Sequence, residues 1–266
     1  MSEGAKRVVK IFEKFPKHKM IMDPKGHRMA HPVYSMRDIE VIEQTHHQPQ
    51  NFRDRWAKFS VWSIRMMFDL MTRFDKEKMT EKQWLNRVIF LETVAGVPGL
   101  VGAMTRHLRS LRSMKRDHGW IHHLLEEAEN ERVHLFIFLQ LKQPNLFFKA
   151  FIAGSQAIFF NVYFWTYLFS PKMAHRFVGY LEEQAVHTYT IMLNQIDSGK
   201  LPGWAKEKAP EEAIRYYDLK EDALMRDVIL SVRADEAVHR ELNHHFSDLP
   251  PDADIEGEEI ELKESK

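Results

Sequence analysis

Asn130-Glu131-Arg132-Val133-His134 and Asp235-Glu236-Ala237-Val238-His239 are two copies of one pattern, each inside a long helical stretch. Residues three apart lie on one face of a helix, so each copy aims a carboxylate and an imidazole at the same point. Two further apolar helical stretches each carry a lone carboxylate, Glu92 and Glu182. The chain order is therefore Glu, Glu-x-x-His, Glu, Glu-x-x-His, which predicts two helix pairs related by an approximate twofold. Four-helix bundles that bind paired iron or manganese use this ligand arrangement. One Glu-x-x-His arises by chance on surface helices, whereas two copies interleaved with two Glu-bearing apolar helices predict a metal site.

Composition limits the alternatives. The 266 residues include no Cys, which excludes disulfides, iron–sulfur clusters, thiolate zinc and thiol-based regulation of this polypeptide. His and carboxylate remain as the metal ligands. A net charge of zero argues against a dedicated nucleic-acid binder. Six Trp, seven Tyr and eighteen Phe, in a chain that is 29% charged, suit a large core with one surface turned toward something apolar.

Residues 1–50 show no sustained periodicity and read as an extended arm. The first nineteen carry six Lys or Arg and two Glu without the apolar run of a secretory signal, as a solvated basic tail or a trimmed targeting peptide would. Residues 51–247 form the helical domain, with helices predicted at about 54–74, 83–113, 120–142, 146–169, 174–197, 211–217 and 222–246. Pro98 is expected to bend the second. Residues 248–266 hold eight acidic side chains and two Lys, a composition that predicts a disordered tail.

From Ala150 to Phe169 there are twenty residues without a charge, enough to cross a bilayer. A single crossing would put Glu131 and His134 on the opposite side from Glu182, and the ligands could not meet. Gln156 and Asn161 would also be costly in hydrocarbon. The reading that survives is an apolar platform made by the first and fourth helices and embedded in one leaflet, with Phe68 and Phe159 on its apolar faces. A buried core helix is the alternative. The fold class is thus all-α: a ferritin-like four-helix bundle with two additional apolar helices forming a monotopic membrane-binding face.

Hard oxygen donors with two imidazoles suit iron or manganese. Without a metal, four buried carboxylates would repel one another and resist ionisation. Asn130 and Asp235, each preceding a ligand pair, are candidates for orienting the imidazoles. Tyr189 lies two turns after Glu182 on the same face. Its position fits either a packed core phenol or a one-electron donor to oxidising metals.

Four stretches carry a specific resemblance: Leu91-Glu92-Thr93 with Val94–Gly99, Asn130–Leu135, Leu181-Glu182-Glu183-Gln184-Ala185, and Arg233–His239. Together with Asp54-Arg55, Arg65 and Phe68-Asp69, they resemble the signature motifs of the mitochondrial alternative oxidases, over roughly residues 31–246. Gln184 stands where the third motif usually has Glu, and Val133 where the second usually has Met. Neither is a ligand, but Gln184 lies near the expected substrate pocket. The resemblance implies a homodimeric, cyanide-insensitive ubiquinol oxidase on the matrix side of the mitochondrial inner membrane, reducing dioxygen to water without pumping protons. It implies two iron ions held by Glu92, Glu131, His134, Glu182, Glu236 and His239, and a redox-active Tyr189. It further implies a quinol pocket lined by Arg87, Leu91, Leu181, Ala185 and Thr188, with Arg65 and Asp69 near its mouth. A plastid-type plastoquinol oxidase shares this chemistry. A ferritin-like iron-storage or ferroxidase protein shares the ligand pattern but has no need of an apolar platform.

Overall fold

Short capping side chains and prolines set most of the helix ends. The computed structural model describes residues 18–21, 29 and 31–255. Strands β1 (His18–Ile21) and β2 (His31–Tyr34) pair antiparallel and lead into a one-turn helix, α1 (Met36–Ile39). Then follow α2 (Phe52–Met71), α3 (Glu81–Ser113), α4 (Trp120–Leu141), α5 (Leu146–Phe169), α6 (Pro171–Asp197), α7 (Glu211–Tyr217) and α8 (Met225–Asp248). Asn145 caps α5 by accepting the Phe148 N–H, and Thr80 exchanges capping hydrogen bonds with Gln83 at the start of α3. Ser170 caps α6 with Pro171 at the first helical position, where the missing N–H costs nothing.

Helices α2 to α8 match the predicted set within a turn at each end, whereas α1 and the β1–β2 pair lie in the stretch read as an extended arm. α3 runs through Pro98 as one continuous element. α3 packs most extensively on α4, and α6 on α8, so the Glu-bearing and Glu-x-x-His-bearing helices pair as the chain order predicts. Glycines permit this closeness. A Cβ on Gly99 would lie 2.6 Å from the Leu124 carbonyl oxygen, and one on Gly179 would lie 2.5 Å from His244 Nδ1. A side chain at either position would push its helix pair apart.

The main core, including Trp84, Ile137, Met192 and Ile229, fills the end of the bundle near α7. It also takes in Tyr34 and Ile39 from the N-terminal arm. A second cluster, including Ala57, Val61, Tyr163, Tyr167 and Phe177, joins α2 and α5 to α6. α5 buries only Tyr163 and Tyr167, and its Phe147 and Phe169 are 87% and 79% exposed. It is therefore no core helix. Its polar residues are satisfied within the protein: Gln156 donates to the Thr93 carbonyl and Asn161 to that of Ala157. Both α3 and α5 are long and apolar enough to cross a membrane, but 44% of the apolar window of α3 is buried against 6% of that of α5. The disorder expected of the acidic tail falls, for residues 256–266, outside the described residues. Before them Ile255 is buried against Trp120 and Phe246.

Candidate metal centre and adjoining cavity

Helices α3, α4, α6 and α8 each turn a carboxylate inward, and all six predicted ligands are buried: Glu92, Glu131, His134, Glu182, Glu236 and His239. One donor atom from each of Glu92, Glu131, His134 and Glu236 lies within 4.8 Å of the others. His134 Nδ1 is 3.4 Å from Glu92, 3.7 Å from Glu131 and 3.5 Å from Glu236. His239 Nδ1 lies 2.9 Å from Glu131 Oε1. Few of these approaches have hydrogen-bond direction. Glu92 Oε2, both Glu131 oxygens, Glu236 Oε2 and the Nδ1 atoms of His134 and His239 are buried without a hydrogen-bonding partner. Unpartnered buried polar atoms are costly, and five of these six belong to the four clustered residues, a donor set that a cation satisfies. The hard oxygen and imidazole donors fit iron or manganese.

The electrostatics agree. Burial pushes the Glu92 carboxyl up to about 8, and Glu131 and Glu236 push it the same way while His134 works against them. Burial, then Glu236 and Glu131, raise Glu182. Burial also acts to raise Glu131, but the imidazoles of His134 and His239 hold it well below the usual carboxylate range. Protons are thus retained where anions crowd, and bound cations would displace them.

Asp235 is the hub behind His134. Its Oδ2 accepts from His134 Nε2 at 3.0 Å, Asn130 Nδ2 at 2.9 Å and the Tyr217 hydroxyl at 2.8 Å. Its Oδ1 accepts from the Tyr34 hydroxyl at 2.6 Å. Burial would raise Asp235, but the His134 hydrogen bond and charge, then Tyr34, hold it down. With Nε2 committed to Asp235, His134 presents Nδ1 to the carboxylates. Asn130 donates to Asp235 and the Tyr216 hydroxyl rather than to an imidazole, so it positions the carboxylate. Both candidates serve one imidazole, and the approximate twofold stops at the ligands.

A cavity of about 560 Å³ opens between α2, α3, α5 and α6, and Glu92, Glu182, Glu236 and Tyr189 line it. The Tyr189 hydroxyl donates to Glu92 Oε1. Of the residues assigned to a quinol pocket, Arg65, Arg87, Leu91, Leu181, Ala185 and Thr188 line this cavity. Asp69 does not line it, but its carboxylate bonds Arg87 and lies 3.5 Å from Arg65 Nε. Phe68 and Phe159, expected on the outward apolar faces, also line it. The outward positions of α2 are instead Leu70 and Met71, at 79% and 61% exposure.

Sequence reasoning passed over Tyr34, Tyr217 and Glu127. Glu127 is buried one turn before Glu131 and accepts from Asn243 at 2.8 Å, and burial pushes it up to about 7. Its i, i+4 spacing from Glu131 was the available signal.

A family model described as "Alternative oxidase" matches residues 34–248. The chain is 48% identical over 246 residues to the mitochondrial alternative oxidase of Emericella nidulans, covering 88% of this chain and 70% of that protein. It is 49% identical over 231 residues to that of Aspergillus niger, covering 83% and 66%, and 45% identical over 239 residues to that of Yarrowia lipolytica, covering 86% and 68%. The chain thus spans about two thirds of the length of these relatives.

Proposed function

This chain belongs to the alternative oxidase family of oxidoreductases, and on that premise we propose that its helical bundle oxidises ubiquinol and reduces dioxygen to water at a di-iron centre, insensitive to cyanide and without pumping protons. One observation carries the reading: the apolar cavity ends on the carboxylates of the metal cluster, so a quinol head group in it would lie beside the redox centre. The proposed ligands are Glu92, Glu131, His134, Glu182, Glu236 and His239. Two irons bound there would supply one-electron couples and a place for dioxygen. Two quinols deliver the four electrons and four protons that turn one dioxygen into two waters.

The protein's own groups have distinct tasks. Arg87 brings a guanidinium to the head-group end of the cavity and Thr188, whose hydroxyl donates to the Gln184 carbonyl, offers an acceptor, while Leu91, Leu181 and Ala185 hold the ring and keep water out. Tyr189 lines the cavity beside Glu92, where a phenol can pass one electron and hold its proton on Glu92 Oε1. Asp235 keeps His134 in the tautomer that exposes Nδ1.

The relatives' names support the mitochondrion as compartment. Our proposal places the chain on the matrix side of the inner membrane. The outer faces of α2 and α5 would enter one leaflet through Leu70, Met71, Phe147 and Phe169. It also includes a homodimer, to which the exposed Leu108 and Leu111 of α3 would offer apolar surface. Purified iron-replete protein given ubiquinol should consume oxygen in the presence of cyanide. No oxygen uptake, together with catalytic uptake of ferrous iron, would favour an iron-storage protein.

A further inference from the structure

The cavity wall between α2, α3 and α6 is uneven in charge. Asp69 is shared by two guanidiniums: its Oδ1 accepts from Arg87 and its Oδ2 lies 3.5 Å from Arg65 Nε. Arg65 completes its pairing with a neutral group, donating from Nη1 to Gln184 Oε1 at 2.8 Å and to the Gln184 carbonyl at 3.4 Å. Arg87 lies over the Phe68 and Phe74 rings, at 4.6 and 4.2 Å from their centroids. It gives Nη1 to Thr72 at 3.4 Å and leaves Nε buried without a partner. The wall thus holds two cations against one anion. The other charges lining the cavity are Glu92, Glu182 and Glu236 at its floor. These belong to the metal cluster, whose four carboxylates would balance two divalent ions. The excess charge on the wall is not cancelled from below.

We propose that Gln184, by giving Arg65 an amide in place of a carboxylate, makes this cavity select an anionic aromatic head group (a ring carrying a phenolate or carboxylate) over its neutral counterpart. The proposal rests on the cavity being the head-group site, and it names the charge state of the ligand that site prefers. A phenol that loses its proton on binding meets the same preference. Most of the other wall groups are apolar, including Phe90, Phe151 and Phe159, so water screens the excess guanidinium weakly. The Arg65 guanidinium, 21% exposed and paired on one side with the neutral Gln184 amide, is the cation the anion would meet.

The test is a pair of probes of one shape, a 4-alkylbenzoate and the matching 4-alkylbenzamide. Their binding to iron-loaded protein in neutral detergent is measured calorimetrically. The benzoate should bind about tenfold more tightly than the benzamide, the low end of what one close guanidinium exerts across a partly solvated wall. Gln184→Glu should abolish this preference by weakening the benzoate while the benzamide stays within about twofold. Gln184→Leu, which stays neutral, should keep it. Arg65→Gln should abolish it by the opposite route, and it decides the matter if Gln184→Glu does not fold by circular dichroism. Equal binding of both probes to the unmodified protein, or an unchanged preference in Gln184→Glu or Arg65→Gln, overturns the proposal. Binding is read without turnover, so an absence of quinol oxidation alongside an intact preference would sink the oxidase reading and leave this one standing.

Discussion

Asp235→Asn removes a charge and almost no volume from the hub behind His134. The amide can keep every partner if its nitrogen takes the Oδ1 position, because the Tyr34 hydroxyl can rotate to accept. Its oxygen then still faces His134, Asn130 and Tyr217. What changes is strength. Three charge-assisted hydrogen bonds to Oδ2 become neutral ones. At a loss of about 1 kcal/mol each, the total is about 3 kcal/mol. In a chain of this size, with about 2–4 °C per kcal/mol, the midpoint of thermal unfolding should fall by roughly 6–12 °C. His134 also loses the carboxylate that raises the basicity of its Nδ1, so iron affinity should fall about 10–100-fold. Dialysis against graded chelator, followed by iron analysis, reads the second quantity, and a calorimetric scan of the same sample reads the first. If the variant keeps iron at the wild-type chelator concentration and unfolds within 2 °C of wild type (well below the estimated fall), Asp235 does not control His134 and the hub is ordinary core polarity.

Tyr189→Phe removes the hydroxyl that donates to Glu92 and should lower turnover about a hundredfold, roughly 2.7 kcal/mol of barrier, with iron content preserved. Tyr180→Phe loses a comparable bond, to the His47 carbonyl at 3.2 Å, and should keep its rate, so equal rates for the two variants would reduce Tyr189 to packing. Burial pushes His175 down to about 4 from 6.5, with Arg106 acting the same way and the Asn243 bond opposing. The unfolded chain takes up this proton first as pH falls, so the stability from neutral His175 is present above pH 6.5 and lost toward pH 4. At about 1.4 kcal/mol per pH unit, that is about 3 kcal/mol. His175→Gln should flatten the pH dependence of denaturant unfolding over this window by that amount, and parallel curves would show that His175 is not the group responsible. Leu70→Glu with Phe169→Glu places charges on the outermost positions of α2 and α5 and should move the protein from the membrane to the soluble fraction with its helical circular dichroism intact. Retention on vesicles would refute the one-leaflet platform.

The fold was legible in the sequence because its strongest signals are local. Helix ends follow from Pro144, Pro171 and short capping residues, and the ligand spacing names the inward faces without reference to distant parts of the chain. α5 could be separated from a core helix only by topology, since twenty uncharged residues read alike in a core and in a leaflet. Which apolar residues of α2 and α5 face outward was less legible. Phe68 and Phe159 sit among similar residues, and their inward aim depends on how α2 and α5 lean on α3 and α6. The hub was the least legible. Asp235 was marked by its place before Glu236, but Tyr34 and Tyr217 reach it from a strand and a short helix. No helical periodicity connects those residues.

Tyr34 meets Asp235 across 201 residues of chain, so strand β2 is fastened to the ring of groups around the metal donors. Two events joined through one hydrogen-bonded carboxylate must influence each other reciprocally. Iron loading should slow amide hydrogen exchange in residues 31–34, and cutting away the arm should loosen iron by the same free energy. The cluster therefore reaches its final affinity only when β2 has docked on α8.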